Sequence, residues 1–118
     1  MEKILPIQSV DKKIKRQMSV LVGNYEFYYT CGAFKALFGL PLEKTVNPIE
    51  LKKNVLDLIH EKSLKIVEPD PEKMCLDSED LEIRKGYIVY LLERYEITDK
   101  FDEVMLELFD EGYDNWSL

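Results

Sequence analysis

Asn47-Pro48-Ile49-Glu50 constrains this chain more tightly than any other short stretch in it. An asparagine side chain accepts hydrogen bonds from the first unpaired amides of a helix, and proline at the first helical position has no amide to leave unpaired. Glu50 stands where the carboxylate of a capping box reaches back. A helix therefore has to begin here. Leu51, Val55, Leu58 and Ile59 recur on one stripe, with Leu56 beside it, and predict that the helix runs to about Lys62.

Upstream, two β-prone runs, MSVLV and YEFYY, flank Gly23-Asn24, a two-residue hairpin signal. Pairing Val22 with Tyr25, Val20 with Phe27 and Met18 with Tyr29 puts all six on one face. The aromatic and β-branched content favours this hairpin over a competing reading, one helix from Asn24 to Leu40. CGAFKALFGLP then reads as a short helix, with Ala33, Phe34, Leu37 and Phe38 at helical spacing, Gly39 as its stop and Pro41 blocking continuation.

Beyond the Asn47 helix, SLKIVEP suggests a short strand before Pro69, and Asp70-Pro71-Glu72 a single helical turn. Ser78 or Asp77 caps a long helix reaching about Tyr95. Its apolar residues cover more than one face, which predicts a central position in the domain. Gly86 in its middle costs about 1 kcal/mol against alanine, and a close helix crossing would account for it. Thr98 or Asp99 caps a last helix that ends at Glu111, with Gly112 as its stop. The expected fold is one α+β domain over residues 1–118, mainly helical, with an N-terminal β-hairpin packed on about four helices. An all-α bundle is the alternative. The run DKKIKR belongs to a loose basic arm over residues 1–17.

Composition narrows the chemistry. Sixteen Lys and Arg against twenty-three Asp and Glu give a net charge of −7, which argues against direct nucleic-acid binding. The start of the chain lacks the pattern of a secretory signal, and no apolar run is long enough to predict a membrane span. Two cysteines, Cys31 and Cys75, make no disulfide scaffold and fit a reducing compartment, so a cytoplasmic location is expected. One histidine and two distant cysteines do not supply a metal site, and the scattered glycines form no phosphate cradle; neither metal nor cofactor is expected. A small enzyme would have to use His60 with Cys31 or Cys75, and Asp57 to orient the imidazole. Against it, His60 suits the last turn of its helix and free cysteines usually pack as small hydrophobes, so the expectation is no enzyme.

The informative asymmetry is in the charge. Residues 1–66 carry a net +4, and residues 67–118 a net −11. Asp99, Glu103, Glu107, Asp110 and Asp114 are spaced four, four, three and four apart, an acidic stripe on helical geometry, with Glu111 beside it. Glu111 and Asp110 at the expected helix end oppose its dipole, so local stability alone would not choose them. Tyr113 and Trp116 follow, an aromatic pair of the type that anchors interfaces. These eight residues are the predicted partner-binding site, for a basic protein such as a toxin or nuclease.

In size and acidity the chain is similar to bacterial toxin-immunity proteins as a class, which cover basic active sites. That likeness implies an inhibitor of the immunity or antitoxin type. A phage or mobile-element protein that mimics nucleic acid against a defence system shares the charge logic and is the alternative. The basic arm is also able to pair with the acidic end of a second copy, as a homodimer.

Overall fold

A computed structural model describes residues 22–69 and 79–117. All regular structure among the described residues is helical: α1 (Val22–Phe38), α2 (Pro48–Glu61), α3 (Leu81–Arg94) and α4 (Glu103–Trp116). The α+β expectation is thereby corrected to an all-helical bundle. The Tyr-rich run is not the second arm of a hairpin but most of α1, as the competing reading had it, and the short helix expected at CGAFKALF is its second half. Met18 and Val20, the proposed strand partners, lie outside the described residues, as does the basic arm.

Burial explains the misreading. Tyr25, Phe27, Tyr28, Tyr29, Cys31, Ala33, Phe34 and Leu37 are all buried, so α1 is enclosed around nearly its whole circumference. An enclosed helix needs no polar stripe and shows no helical period in its sequence. Each large aromatic buries on the order of 200 Å², worth several kcal/mol, against helix-propensity differences below about 0.7 kcal/mol per residue. Tertiary burial wins.

Gly23-Asn24 is not a turn either. A Cβ on Gly23 would lie 2.8 Å from the Glu96 carbonyl oxygen, so glycine is there to let the backbones approach. Asn24, 1% exposed, staples the α3–α4 connector: its Oδ1 accepts from the Thr98 amide at 2.9 Å, while its Nδ2 donates to the carbonyls of Thr98 at 3.0 Å and Lys100 at 2.8 Å. At the other end Gly39 takes a left-handed φ of 65° and donates its amide to the Lys35 carbonyl at 2.8 Å, the expected stop but of a longer helix.

α1, not α3, is the centre of the bundle: it packs on both α3 and α4. Its crossing with α4 is made by two glycines. A Cβ on Gly32 would lie 2.0 Å from the Phe109 carbonyl oxygen, and one on Gly112 would lie 2.1 Å from that of Tyr29. The two backbones are in direct contact. Gly112, expected to end the last helix, instead sits inside it.

α2 forms as its sequence dictates. Asn47 Oδ1 accepts from the amides of Ile49 and Glu50 at 3.0 and 3.1 Å, while Thr45 Oγ1, rather than Glu50, receives the Asn47 amide, at 3.4 Å. Pro48, Leu51, Val55 and Ile59 make its buried stripe. Residues 64–68 form no strand. Instead the Val67 amide donates to the Gly86 carbonyl at 3.0 Å, and Val67 Cγ2 lies 2.3 Å from where a Gly86 Cβ would be. The connector, not a helix crossing, accounts for that glycine. Asp80 caps α3, its Oδ1 accepting from the Glu82 amide at 3.0 Å; the expected caps Asp77 and Ser78, and the turn at 70–72, lie outside the described residues. At the far end of α3, Lys52 from α2 donates to the Tyr95 carbonyl, a cation where the helix dipole favours one.

The core keeps several groups neutral. Burial pushes the Cys31 thiol well above its ordinary value of 9.0, and burial likewise raises the Tyr28 and Tyr95 phenols above theirs of 10.0. The Tyr95 hydroxyl lies 3.1 Å from that of Thr30, and Tyr28 donates to the Thr45 carbonyl at 2.7 Å.

Three outcomes follow from this packing. Gly112→Ala, which at an ordinary helical site would add about 1 kcal/mol of stability, is expected to remove roughly 2–3 kcal/mol, seen as a lower urea midpoint. Asn24→Ala strands the Thr98 amide and the Thr98 and Lys100 carbonyls, and is expected to cost on the order of 3 kcal/mol in the same assay. Raised acid pKa values mean that the folded state holds protons the unfolded chain would release. Stability is complete below the unfolded values of 9.0 and 10.0 and falls as pH climbs past them toward the folded ones. The melting temperature should therefore decline above pH 9, and Cys31→Ala should flatten the first part of that decline.

Candidate protein-binding surface

The connector fixes where α4 begins. Thr98 and Asp99 were the expected caps, but Thr98 is held by Asn24, and the helix starts only when Asp102 Oδ1 accepts the Val104 amide at 2.8 Å. From there the chain divides into two faces. Met105, Leu108, Phe109, Gly112 and Trp116 are buried against α1 and the core. Glu103, Glu107, Asp110 and Asp114 follow each other on the opposite side and are all exposed, with Glu111 beside them. Asp99 is exposed too but lies in the connector, ahead of the helix. Because α4 runs through to Trp116, Asp110 and Glu111 sit in mid-helix; Asp114 is the residue in the last turn, where no basic residue offsets it.

Internal cations do little to neutralise this face. Among the described residues one stripe carboxylate is in an ion pair, Asp110 with Lys44 Nζ at 2.6 Å. Both side chains are substantially exposed, so the pair contributes at most about 1 kcal/mol. Glu103, Glu107, Glu111 and Asp114 present their charge to solvent.

The two aromatics part company. Tyr113 is 39% exposed beside the stripe, with Lys35 Nζ 5.9 Å from its ring centre. Trp116 is 2% exposed, with the Arg84 guanidinium 5.5 Å from its ring centre, and closes the core instead of presenting a surface. It therefore leaves the predicted binding set. Two apolar side chains that the sequence reading passed over are open to solvent close in sequence to Lys44: Val46 at 62% and Ile49 at 50%. Ile49 lies off the Leu51–Val55–Ile59 stripe, which was the available sign of its exposure.

The nucleophilic alternative is not assembled from the residues described. Cys31 is fully buried with its thiol held protonated, whereas His60 is exposed on the last turn of α2, and Asp57 pairs with Lys53 at 3.2 Å. Cys75 lies outside the described residues. A shallow cleft of about 250 Å³ against α2 is lined by Asn54, Asp57, Leu58 and Glu61 together with Pro41, Leu42 and Glu43, a lining without thiol, hydroxyl or imidazole. Among the described residues no three His, Cys, Asp or Glu converge as metal ligands, and no helix is long and apolar enough to cross a membrane.

No match is found among curated proteins or among solved structures. One family model, described as "Domain of unknown function (DUF3837)", matches residues 1–116, almost the whole chain, and the protein belongs to that family.

Proposed function

We propose that the domain is a non-catalytic protein-binding module, an inhibitor of the immunity or antitoxin type acting in the cytoplasm, and that it docks a basic partner on the outer face of α4. The observation that supports this reading is the division of α4 into a buried face and an exposed row of carboxylates, of which one, among the described residues, meets an internal cation. Such a row raises the rate of encounter with a cationic surface and fixes its orientation. Tyr113, Val46 and Ile49 offer the apolar contact that charge alone lacks. Mimicry of nucleic acid would call for charge spread over a broader surface. The carboxylates of this row lie along a single helix about 21 Å long, which favours the protein-docking reading.

The test uses the full chain and the products of the genes that flank its own. A flanking product that the tagged chain captures is moved to a biosensor for association kinetics. The on-rate is expected to fall roughly tenfold between low and physiological salt, and by a similar factor in Glu103→Lys/Glu107→Lys/Asp114→Lys, which spares the Lys44–Asp110 pair. Association indifferent to both changes would remove the reading.

A further inference from the structure

α2 carries a second stripe beside its buried one. Asp57, Leu58 and Glu61 stand three, four and seven positions after Asn54 on one face of the helix, and the segment Pro41–Glu43 runs against them. Between helix and segment lies the cleft of about 250 Å³. Its base is apolar, made by Leu42, 1% exposed, and the half-buried Leu58. Its rim carries three exposed carboxylates, those of Glu43, Asp57 and Glu61. The wall opposite α2 is fixed at both ends: Leu42 is sunk in the core, and the Thr45 carbonyl accepts from the Tyr28 hydroxyl at 2.7 Å. Such a cleft is largely preformed.

We propose that this cleft receives an arginine side chain of the basic partner, with its methylenes on Leu42 and Leu58 and its guanidinium among the carboxylates. The first argument is size. Clefts that enclose drug-sized ligands run from about 300 to 1,000 Å³, and this one falls below them, on the scale of a single long side chain. The second is charge. Among the described residues Asp57 alone of the three carboxylates is in an ion pair, with Lys53 at 3.2 Å, an exposed pair that an incoming cation displaces readily. The Asn54 side chain makes no hydrogen bond to another described residue and offers its carbonyl as a further acceptor. The third is the apolar base, which a hydrated metal ion or bare ammonium would leave uncovered and a methylene stem covers. Arginine suits it better than lysine, because a planar, weakly hydrated guanidinium donates to several acceptors at once. The fourth is continuity: Glu43 precedes Lys44, whose Nζ holds Asp110, so the cleft adjoins the carboxylate row of α4. Assigning the arginine to a partner rests on the docking reading above, whereas the chemistry of the cleft does not.

The test needs no partner. n-Propylguanidine, the arginine side chain without its backbone, is titrated at low salt into the isotope-labelled full chain, and amide resonances are followed. Those of Leu42, Asn54 and Leu58 are expected to shift and saturate with a Kd on the order of 10 mM. n-Propylurea, which keeps the shape without the charge, and guanidinium, which keeps the charge without the stem, should each bind at least about tenfold more weakly. Glu43→Gln/Glu61→Gln should weaken n-propylguanidine by about tenfold, while Glu103→Lys/Glu107→Lys/Asp114→Lys, which impairs docking on α4, should leave it within about twofold. Shifts that fail to saturate, that follow the α4 row instead of the cleft, or that the neutral urea reproduces would overturn the proposal and leave docking on α4 standing. Partner association indifferent to salt would instead overturn the docking reading and, with it, the assignment of the arginine to that partner.

Discussion

The close crossing of α1 and α4 at Gly32 and Gly112 is the constraint on which the remaining structure depends. With no side chains between them, α1 and α4 touch backbone to backbone, and the Phe109 and Tyr29 carbonyls occupy the space that two Cβ atoms would fill. That approach carries Phe109 and Trp116 into the same buried core as the aromatics of α1 and fixes the rotation of α4 about its own axis. Once the rotation is fixed, the outward direction of Glu103, Glu107, Asp110 and Asp114 follows from helical geometry alone. The exposed charge is thus a consequence of the crossing.

Polar chemistry supports the same arrangement from the connector side. Asn24 satisfies three backbone groups of the segment leading into α4, and the cap at Asp102 decides on which residue the helix starts. A slip of one residue in the register of α4 against α1 would turn the carboxylate row by about 100° toward the core, where unpaired charge is untenable. A buried amide far from the row therefore protects the register of the surface.

What was legible in the sequence divides along physical lines. α2 was readable because a cap, a proline and a one-sided apolar stripe are all local features, and Asn47 and Pro48 act as their chemistry requires. The acidic row was readable because an amphipathic helix carries its period in its sequence. α1 was hidden, since a helix surrounded by core has no polar side to mark its turns, and its tyrosines imitate a strand. Gly23 and Gly112 were misjudged for one reason: both are there for what approaches them from elsewhere in the fold, which no local pattern records, whereas at Gly86 a close approach was expected and only the approaching element, a connector instead of a helix, differed. Trp116 is a similar case. Whether a terminal aromatic faces inward depends on a pocket built by residues remote in the chain.

The crossing also has a bearing on synthesis. Gly32 leaves the ribosome well before Gly112, so the flank of α1 that α4 covers stays bare while the chain between them is being made. Its tyrosines and phenylalanines are then a sticky nascent surface, and closure has to wait until α4 has cleared the exit tunnel. A bundle stitched between its first and last described helices therefore keeps its central helix uncovered until its last one arrives.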